Sequence, residues 1–326
     1  MPDTRADDFI LPFTVEGADV RGRAVRFGPL VDQVLTRHAY PEPVSQLLGE
    51  ALALAALLGS GLKFEGIFSL QTKGDGPVSM LLADYVAGGD TGAGVLRGYA
   101  AFDRKADFTA LKKGFAALTG KGYLALTVDQ NTQGERYQGI VPLEGESLAA
   151  CAESYFRISE QIPTSIALTV GQLFARTGEH HGPLAENGLW RAGGMLIQHL
   201  PKTVAESRAP EDPLVETDAW RRCRLLMATL RADELIDPML TAEQLLYRLF
   251  NEDGVRVFPK TPARFGCRCD RGRLERVLLQ YPRGELEPML SGGLILANCE
   301  FCNETYRFTL DELAPNTTTD NSHATP

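Results

Sequence analysis

The sequence predicts an α+β protein with an N-terminal domain of mixed sheet and helix, a helical linker, and a small C-terminal four-cysteine zinc module. Three observations predict it. Helical and strand patterns are interspersed over residues 1–200, with hairpin signals between strands, which is the α+β arrangement. Residues 201–218, PKTVAESRAPEDPLVETD, are rich in proline and charge and open a linker extending to about residue 260. Cys267, Cys269, Cys299 and Cys302 then form a C-x-C pair and a C-x-x-C pair within residues 261–314.

The elements follow in order. Pro41 and Pro43 punctuate the entry to a helix from about Val44 to Leu58. Leu47, Leu48, Ala51, Leu52, Ala55 and Leu58 make it apolar on most sides, so it belongs at the centre of the core. Strands are expected at Gly66–Thr72 and Val78–Tyr85, joined by the turn signal Lys73-Gly74-Asp75-Gly76. Tyr123–Val128 and Arg136–Val141 read as a second hairpin. Ser147 is a candidate N-cap for a helix to about Glu160, with Leu148, Cys151, Ala152 and Tyr155 on one face. Strands Ser165–Val170 and Gly194–His199 close the domain.

Two helices are expected in the linker. The first runs from about Glu216 to Ala232, with Trp220, Cys223, Leu226, Met227 and Leu230 on its apolar stripe. The second begins at Thr241, where Thr241 and Gln244 form a capping-box signature. Its apolar face carries Leu245, Leu246, Leu249 and Phe250. A segment this short cannot bury those faces alone, so it must dock on the first domain or on a partner. One helix, with Leu274, Val277 and Leu278, is expected between the cysteine pairs, and the tail at 315–326 reads as disordered.

Four thiolates in two close pairs can fill a closed tetrahedral site, with Zn–S near ~2.3 Å and no open position for substrate. The competing reading is two structural disulfides. Cysteine usage favours zinc, because the start, MPDTRADDFILPF, shows no secretory signal. A cytoplasmic chain sits among reducing thiols, where clustered cysteines hold metal or do redox chemistry. One Zn2+ per reduced chain is therefore expected on Cys267, Cys269, Cys299 and Cys302. Zinc-bound thiolates remain oxidisable, so such a site is either a staple or a sensor.

Composition narrows the function classes. The chain has 326 residues, 44% of them hydrophobic, and a net charge of −9. Its pI is about 5.2. Residues 261–314 carry seven Arg or Lys and eight Asp or Glu, before counting thiolate charge. That balance argues against a nucleic-acid partner, although a zinc-ribbon protein binding RNA or a translation component is the runner-up. No stretch is long and uncharged enough for a membrane span; Leu47–Leu62 contains Glu50.

Catalytic signatures are weak, and no enzyme is expected. Gly114–Gly122, GFAALTGKG, has one residue too many for a phosphate loop and a Gly where magnesium needs Ser or Thr. The glycines of 88–94 precede no helix, and adjacent His180 and His181 diverge on most backbones. Glu153 and Glu160 are lone helical carboxylates. The C-x-x-C lacks the βαβ context of a thioredoxin-like enzyme. Cys151 reads as a buried inert thiol. Cys223 is flanked by Arg221, Arg222 and Arg224, which would lower its pKa if exposed, but packing is favoured.

The layout resembles the 33 kDa chaperonin family, the redox-regulated holdase chaperones of bacteria, from about Asp8 to Leu313. Beyond the cysteines, the resemblance rests on Tyr40-Pro41-Glu42-Pro43-Val44, Leu62-Lys63-Phe64-Glu65-Gly66 and Gly74-Asp75-Gly76-Pro77. Gly134-Glu135-Arg136-Tyr137-Gln138-Gly139, Tyr155-Phe156 with Ser159-Glu160-Gln161, and Ala192-Gly193-Gly194-Met195-Leu196 match as well. The Gly-rich loop near 88–94 and a longer 200–218 linker depart from the pattern.

The resemblance implies a cytoplasmic, ATP-independent chaperone that is zinc-bound and inactive when reduced. Oxidants would convert the thiolates to disulfides Cys267–Cys269 and Cys299–Cys302, releasing zinc, unfolding the module and undocking the linker. Activated members dimerise and hold unfolding proteins against aggregation. The energetics agree, because zinc-finger peptides gain an apparent ~10–16 kcal/mol from their metal. A module of about fifty residues has too little core to survive losing that. Exposed Leu, Met and Phe surface is what binding of diverse clients requires.

Overall fold

The computed structural model describes residues 7–62, 66–88, 92–110, 114–130, 136–174, 188–200 and 216–313. The start of the linker, His180, His181 and the tail at 315–326 lie outside the described residues. The chain forms two compact units that divide between Gly266 and Cys267.

The first unit is built on one large sheet. Its elements are β1 (Phe9–Val15), β2 (Val20–Phe27), α1 (Pro29–Thr36), α2 (Glu42–Gly59), β3 (Ile67–Gly74), β4 (Val78–Val86) and β5 (Gly94–Phe102). There follow α3 (Phe115–Thr119), β6 (Gly122–Asp129), β7 (Arg136–Pro142), α4 (Leu148–Tyr155), β8 (Thr164–Leu173) and β9 (Leu189–His199). The unit ends with α5 (Asp218–Ala228), α6 (Ala232–Ile236), α7 (Ala242–Phe250), β10 (Val255–Val257) and β11 (Thr261–Phe265). Sheet order is β7-β6-β3-β4-β5-β11-β1-β2-β9-β8, with β10 also on β1. The β5–β11 pair is parallel and the other described pairs are antiparallel.

Side chains alternate across the strands, and the two faces carry two separate cores, the second mainly on β1, β2 and β9. On one face lies α2, whose Leu48, Leu52, Leu54 and Leu57 are fully buried with Phe27, Leu70 and Leu196. Pro43 in its first turn needs no backbone N–H, which suits the helix start. Gly49 allows close approach to β8: a Cβ there would come within 2.8 Å of Val170 Cγ2. On the other face Phe9, Leu11, Phe13 and Val15 meet α5 and α7 in a second core.

The expected buried helix, both hairpins, and the strands flanking residue 188 are present with small boundary changes. Ser147 caps α4 by accepting from Ala150 N at 3.1 Å. The helix expected to reach Glu160 changes to a π-helical turn at Phe156–Glu160, ending at Gln161 with φ of 54°. β1, β2, β5 and β11 were not anticipated. In β2, VRGRAVRF, three arginines and a glycine interrupt the apolar alternation that marks a strand.

The second unit is small. It holds α8 (Arg271–Leu278), α9 (Arg283–Leu286) and an antiparallel sheet of β12 (Leu290–Ser291), β13 (Leu294–Asn298) and β14 (Thr305–Phe308). Leu286, Ile295, Phe308 and Leu313 are its buried apolar centre.

Candidate metal centre

Local structure brings the two cysteine pairs together. Asp270 Oδ1 accepts from Arg273 N at 2.8 Å, so the chain is fixed as a helix N-cap one residue after Cys269. The second pair lies in the β13–β14 turn. Cys299 N donates to Glu304 O at 2.9 Å, and Asn303 N donates to Cys299 O at 2.8 Å. Asn303 takes a positive φ of 58°, which this residue type tolerates.

The four sulfurs all lie within 4.8 Å of one another and could hold a metal ion. Cys267 Sγ is 3.6 Å from Cys299 Sγ, and Cys269 Sγ is 3.3 Å from Cys302 Sγ. A tetrahedral site with metal–sulfur bonds of ~2.3 Å places sulfurs about 3.8 Å apart, so only small adjustments are needed. The donor set is four soft thiols, which suits zinc and excludes magnesium or calcium as preferred ions.

Thiol electrostatics reflect this crowding. Burial would raise Cys267, but donation from Cys269 N–H and the neighbouring thiols outweighs it and brings the group down to about 7. Cys302 is raised, first by burial. Cys267, Cys269 and Cys299 are half-buried and Cys302 is buried, so small oxidants can reach the cluster. Tyr306 Oη donates to Cys269 Sγ at 3.2 Å. Sequence reasoning missed this phenol, since nothing local in the sequence ties it to a cysteine 37 residues away.

The expected linker residues gather elsewhere, in the second core of the first unit. Trp220 and Met227 on α5 and Leu245, Leu246, Leu249 and Phe250 on α7 are buried there. Leu226 and Leu230 are partly buried against the same core. Phe250 stacks on Phe13 with centroids 6.0 Å apart. Two unanticipated arginines hold the segment between these helices. Arg26 donates to Leu240 O at 2.5 Å and Leu235 O at 3.2 Å, and Arg191 donates to Ile236 O at 2.8 Å.

Other sequence candidates have structural partners. Glu153 Oε1 accepts from Ile166 N at 2.6 Å, and Glu160 Oε1 accepts from Tyr155 Oη at 2.5 Å. Gly114–Gly122 forms α3 and the entry to β6. No helix among the described residues is long and apolar enough to cross a membrane.

Residues 8–309 match the family model described as Hsp33 protein. The chain is 45% identical over 313 residues to a 33 kDa chaperonin of Caulobacter vibrioides, covering 94% of this chain and 96% of that protein. It is 37% identical over 316 residues to a 33 kDa chaperonin of Pseudomonas fluorescens, covering 96% and 94%. The crystal structure of the 33 kDa chaperonin of Thermotoga maritima superposes with a TM-score of 0.73 at 25% identity, covering 94% and 96%. With the mixed sheet, the covering helices and the C-terminal four-cysteine cluster on the same chain, these matches make it a member of the Hsp33 family of chaperones.

Proposed function

We propose that this chain is a redox-regulated, ATP-independent holdase acting in the cytoplasm. The observation that carries the reading is the cluster of four cysteine sulfurs within 4.8 Å. Cys267, Cys269, Cys299 and Cys302 would hold one zinc ion in the reduced, inactive form. The ion supplies a cross-link between the α8 entrance and the β13–β14 turn, and it keeps the ligands as thiolates. No catalytic role is assigned to any residue.

Activation is an oxidation of those ligands. Two thiolates give up two electrons to one peroxide, which takes two protons and leaves as two waters while an S–S bond forms. Two such steps use all four sulfurs and leave the ion without ligands. We assign the pairs Cys267–Cys269 and Cys299–Cys302. All three possible pairings start within 4.8 Å, so disulfide mapping decides between them. Loss of the cross-link unfolds the module and undocks α5 and α7, whose Trp220, Leu226, Met227, Leu230, Leu245, Leu246, Leu249 and Phe250 then offer apolar surface. The oxidised chain pairs as a homodimer and holds unfolding clients.

The test is aggregation of a heat-unfolded client, followed by light scattering, with protein kept reduced or treated with peroxide. Suppression only after peroxide, with release of one zinc per chain by elemental analysis, is expected. Equal activity in both states, or zinc retained after four thiols are lost, refutes the reading.

A further inference from the structure

β2 turns an unusual pair of side chains toward the main core. Its odd-numbered residues face α2, and Val25 and Phe27 are buried there. Two and four positions earlier on the same face stand Arg23 and Arg21. Across the ladder, Arg23 lies opposite Leu196 and Arg21 opposite Gln198 of β9. Arg21 Nε donates to Gln198 Oε1 at 3.1 Å. The Arg23 guanidinium lies over Gly61, where a Cβ would stand 3.0 Å from its Cζ and terminal nitrogens. Among the described residues, Arg23 has no hydrogen-bond acceptor or ion-pair partner. Burial lowers its pKa, and the charge of Arg21 adds to that.

Both arginines line a cavity of about 350 Å³. That is within the ~300–1,000 Å³ range of small-molecule sites. Leu57, Leu58, Phe68, Leu126 and Phe156 form much of its wall. Glu160 also lines it, but its Oε1 already accepts from Tyr155 Oη at 2.5 Å and Tyr137 Oη at 3.1 Å. Those phenols thereby direct their protons to Glu160, which leaves the two arginines as the cationic donors on the cavity lining.

We propose that this cavity binds a small amphipathic carboxylate, its apolar chain on the Leu and Phe wall and its carboxylate held by Arg23 with Arg21. A neutral apolar ligand would bury Arg23 further without a partner. A cation would meet two guanidinium charges against the single carboxylate of Glu160, which the two phenols already occupy. A small hydrophilic anion would leave the apolar wall unused, whereas a guanidinium matches a carboxylate with two parallel hydrogen bonds. The proposal involves the first unit alone and stands whether or not the redox reading does.

Octanoate, octan-1-ol and acetate are the probes, titrated calorimetrically into reduced, zinc-loaded full-length protein. Octanoate is expected to bind at one site and to raise Tm as its concentration rises. Octanol and acetate should each bind at least about tenfold more weakly, since a charge-assisted pair and the apolar wall each contribute on the order of 1.5 kcal/mol. Arg23→Gln should lower octanoate affinity about tenfold or more and leave octanol unchanged, with Arg23→Lys between. Parity of octanoate with octanol or acetate, undiminished octanoate binding by Arg23→Gln, or no saturable binding at millimolar octanoate overturns the proposal. If Arg23→Gln does not fold, the three probes on the unaltered protein decide alone.

Discussion

The thiol of Cys223 is pushed up to about 11, first by burial and then by the Asp253 carboxylate, with Arg222 pulling the other way. The Arg222 guanidinium that flanks it in sequence is directed to Asp253, its Nε lying 3.0 Å from Oδ1. Cys151 is likewise buried, and burial raises its thiol. Both are poor nucleophiles at neutral pH. Cys151→Ala and Cys223→Ala should keep zinc binding and peroxide-dependent activation in the client assay. Loss of activation in Cys223→Ala with zinc intact would make that thiol part of the sensor. Glu50 on α2 gives a pH test. Burial pushes its carboxyl up from 4.5 to about 7. The folded state therefore holds a proton that the unfolded state has lost between those values. Glu50's contribution to stability is full below about pH 4.5, falls as pH rises to about 7, and is a constant penalty above it. Glu50→Gln removes the penalty. It should be more stable than the unaltered protein at pH 8 by on the order of 2–3 kcal/mol, with little difference at pH 4.5, in urea melts at both values. Cysteine spacing showed the metal candidates because ligand geometry is local. It could not show the Tyr306 phenol on Cys269, which depends on how β14 returns past the cysteine turn.

At the scale of elements, α5 to α7 are the part whose docking carries the proposed switch. Their apolar stripes and the Thr241–Gln244 capping box were legible, because caps and helical periodicity are written in neighbouring residues. The box is present with both hydrogen bonds, at 2.9 and 3.1 Å. The contribution of Arg26 and Arg191 was not legible, since their acceptors are backbone carbonyls 45 to 214 residues away. Gly193 is part of the same contact: a Cβ there would come within 2.5 Å of Leu235 O. Met227→Glu would bury an unpaired carboxylate in the docked form and place it in water in the undocked form, a difference of several kcal/mol. Arg26→Gln would strip partners from buried carbonyls, at about 1–3 kcal/mol for each group left unpaired. Each ~1.4 kcal/mol raises the undocked population tenfold. Both variants should show partial holdase activity under reducing conditions with zinc still bound. Trp220 fluorescence should report release, with buried Trp190 in the main core as a constant background. A variant whose Trp220 signal shows release but which stays inactive would mean that undocking alone does not expose the client site.

At the scale of the whole molecule, the two units differ in what holds them together. The first has a large sheet with α2 buried against one face along most of its length and a second core on the other face of β1, β2 and β9. The second has four buried apolar side chains, Leu286, Ile295, Phe308 and Leu313, among its described residues. Most of its other apolar groups are partly or well exposed, including Val277, Leu279, Met289 and Leu296. At ~1.5–3 kcal/mol for each fully buried large apolar side chain, that centre contributes on the order of 10 kcal/mol before chain entropy is counted. A thiolate-bound ion worth ~10–16 kcal/mol is at least as large as that apolar contribution, so it is large enough to decide whether the unit folds. Removing zinc by chelation under reducing conditions should therefore melt the second unit alone. In hydrogen exchange, amides of Leu294–Asn298 and Thr305–Phe308 should lose protection, while α2, β3 and β4 keep theirs. Peroxide should give the same loss and, by the proposed switch, deprotect α5 and α7 as well. Protection of β13 and β14 that survives chelation would show that the small apolar centre holds the unit by itself, and the metal could then no longer serve as the folding switch.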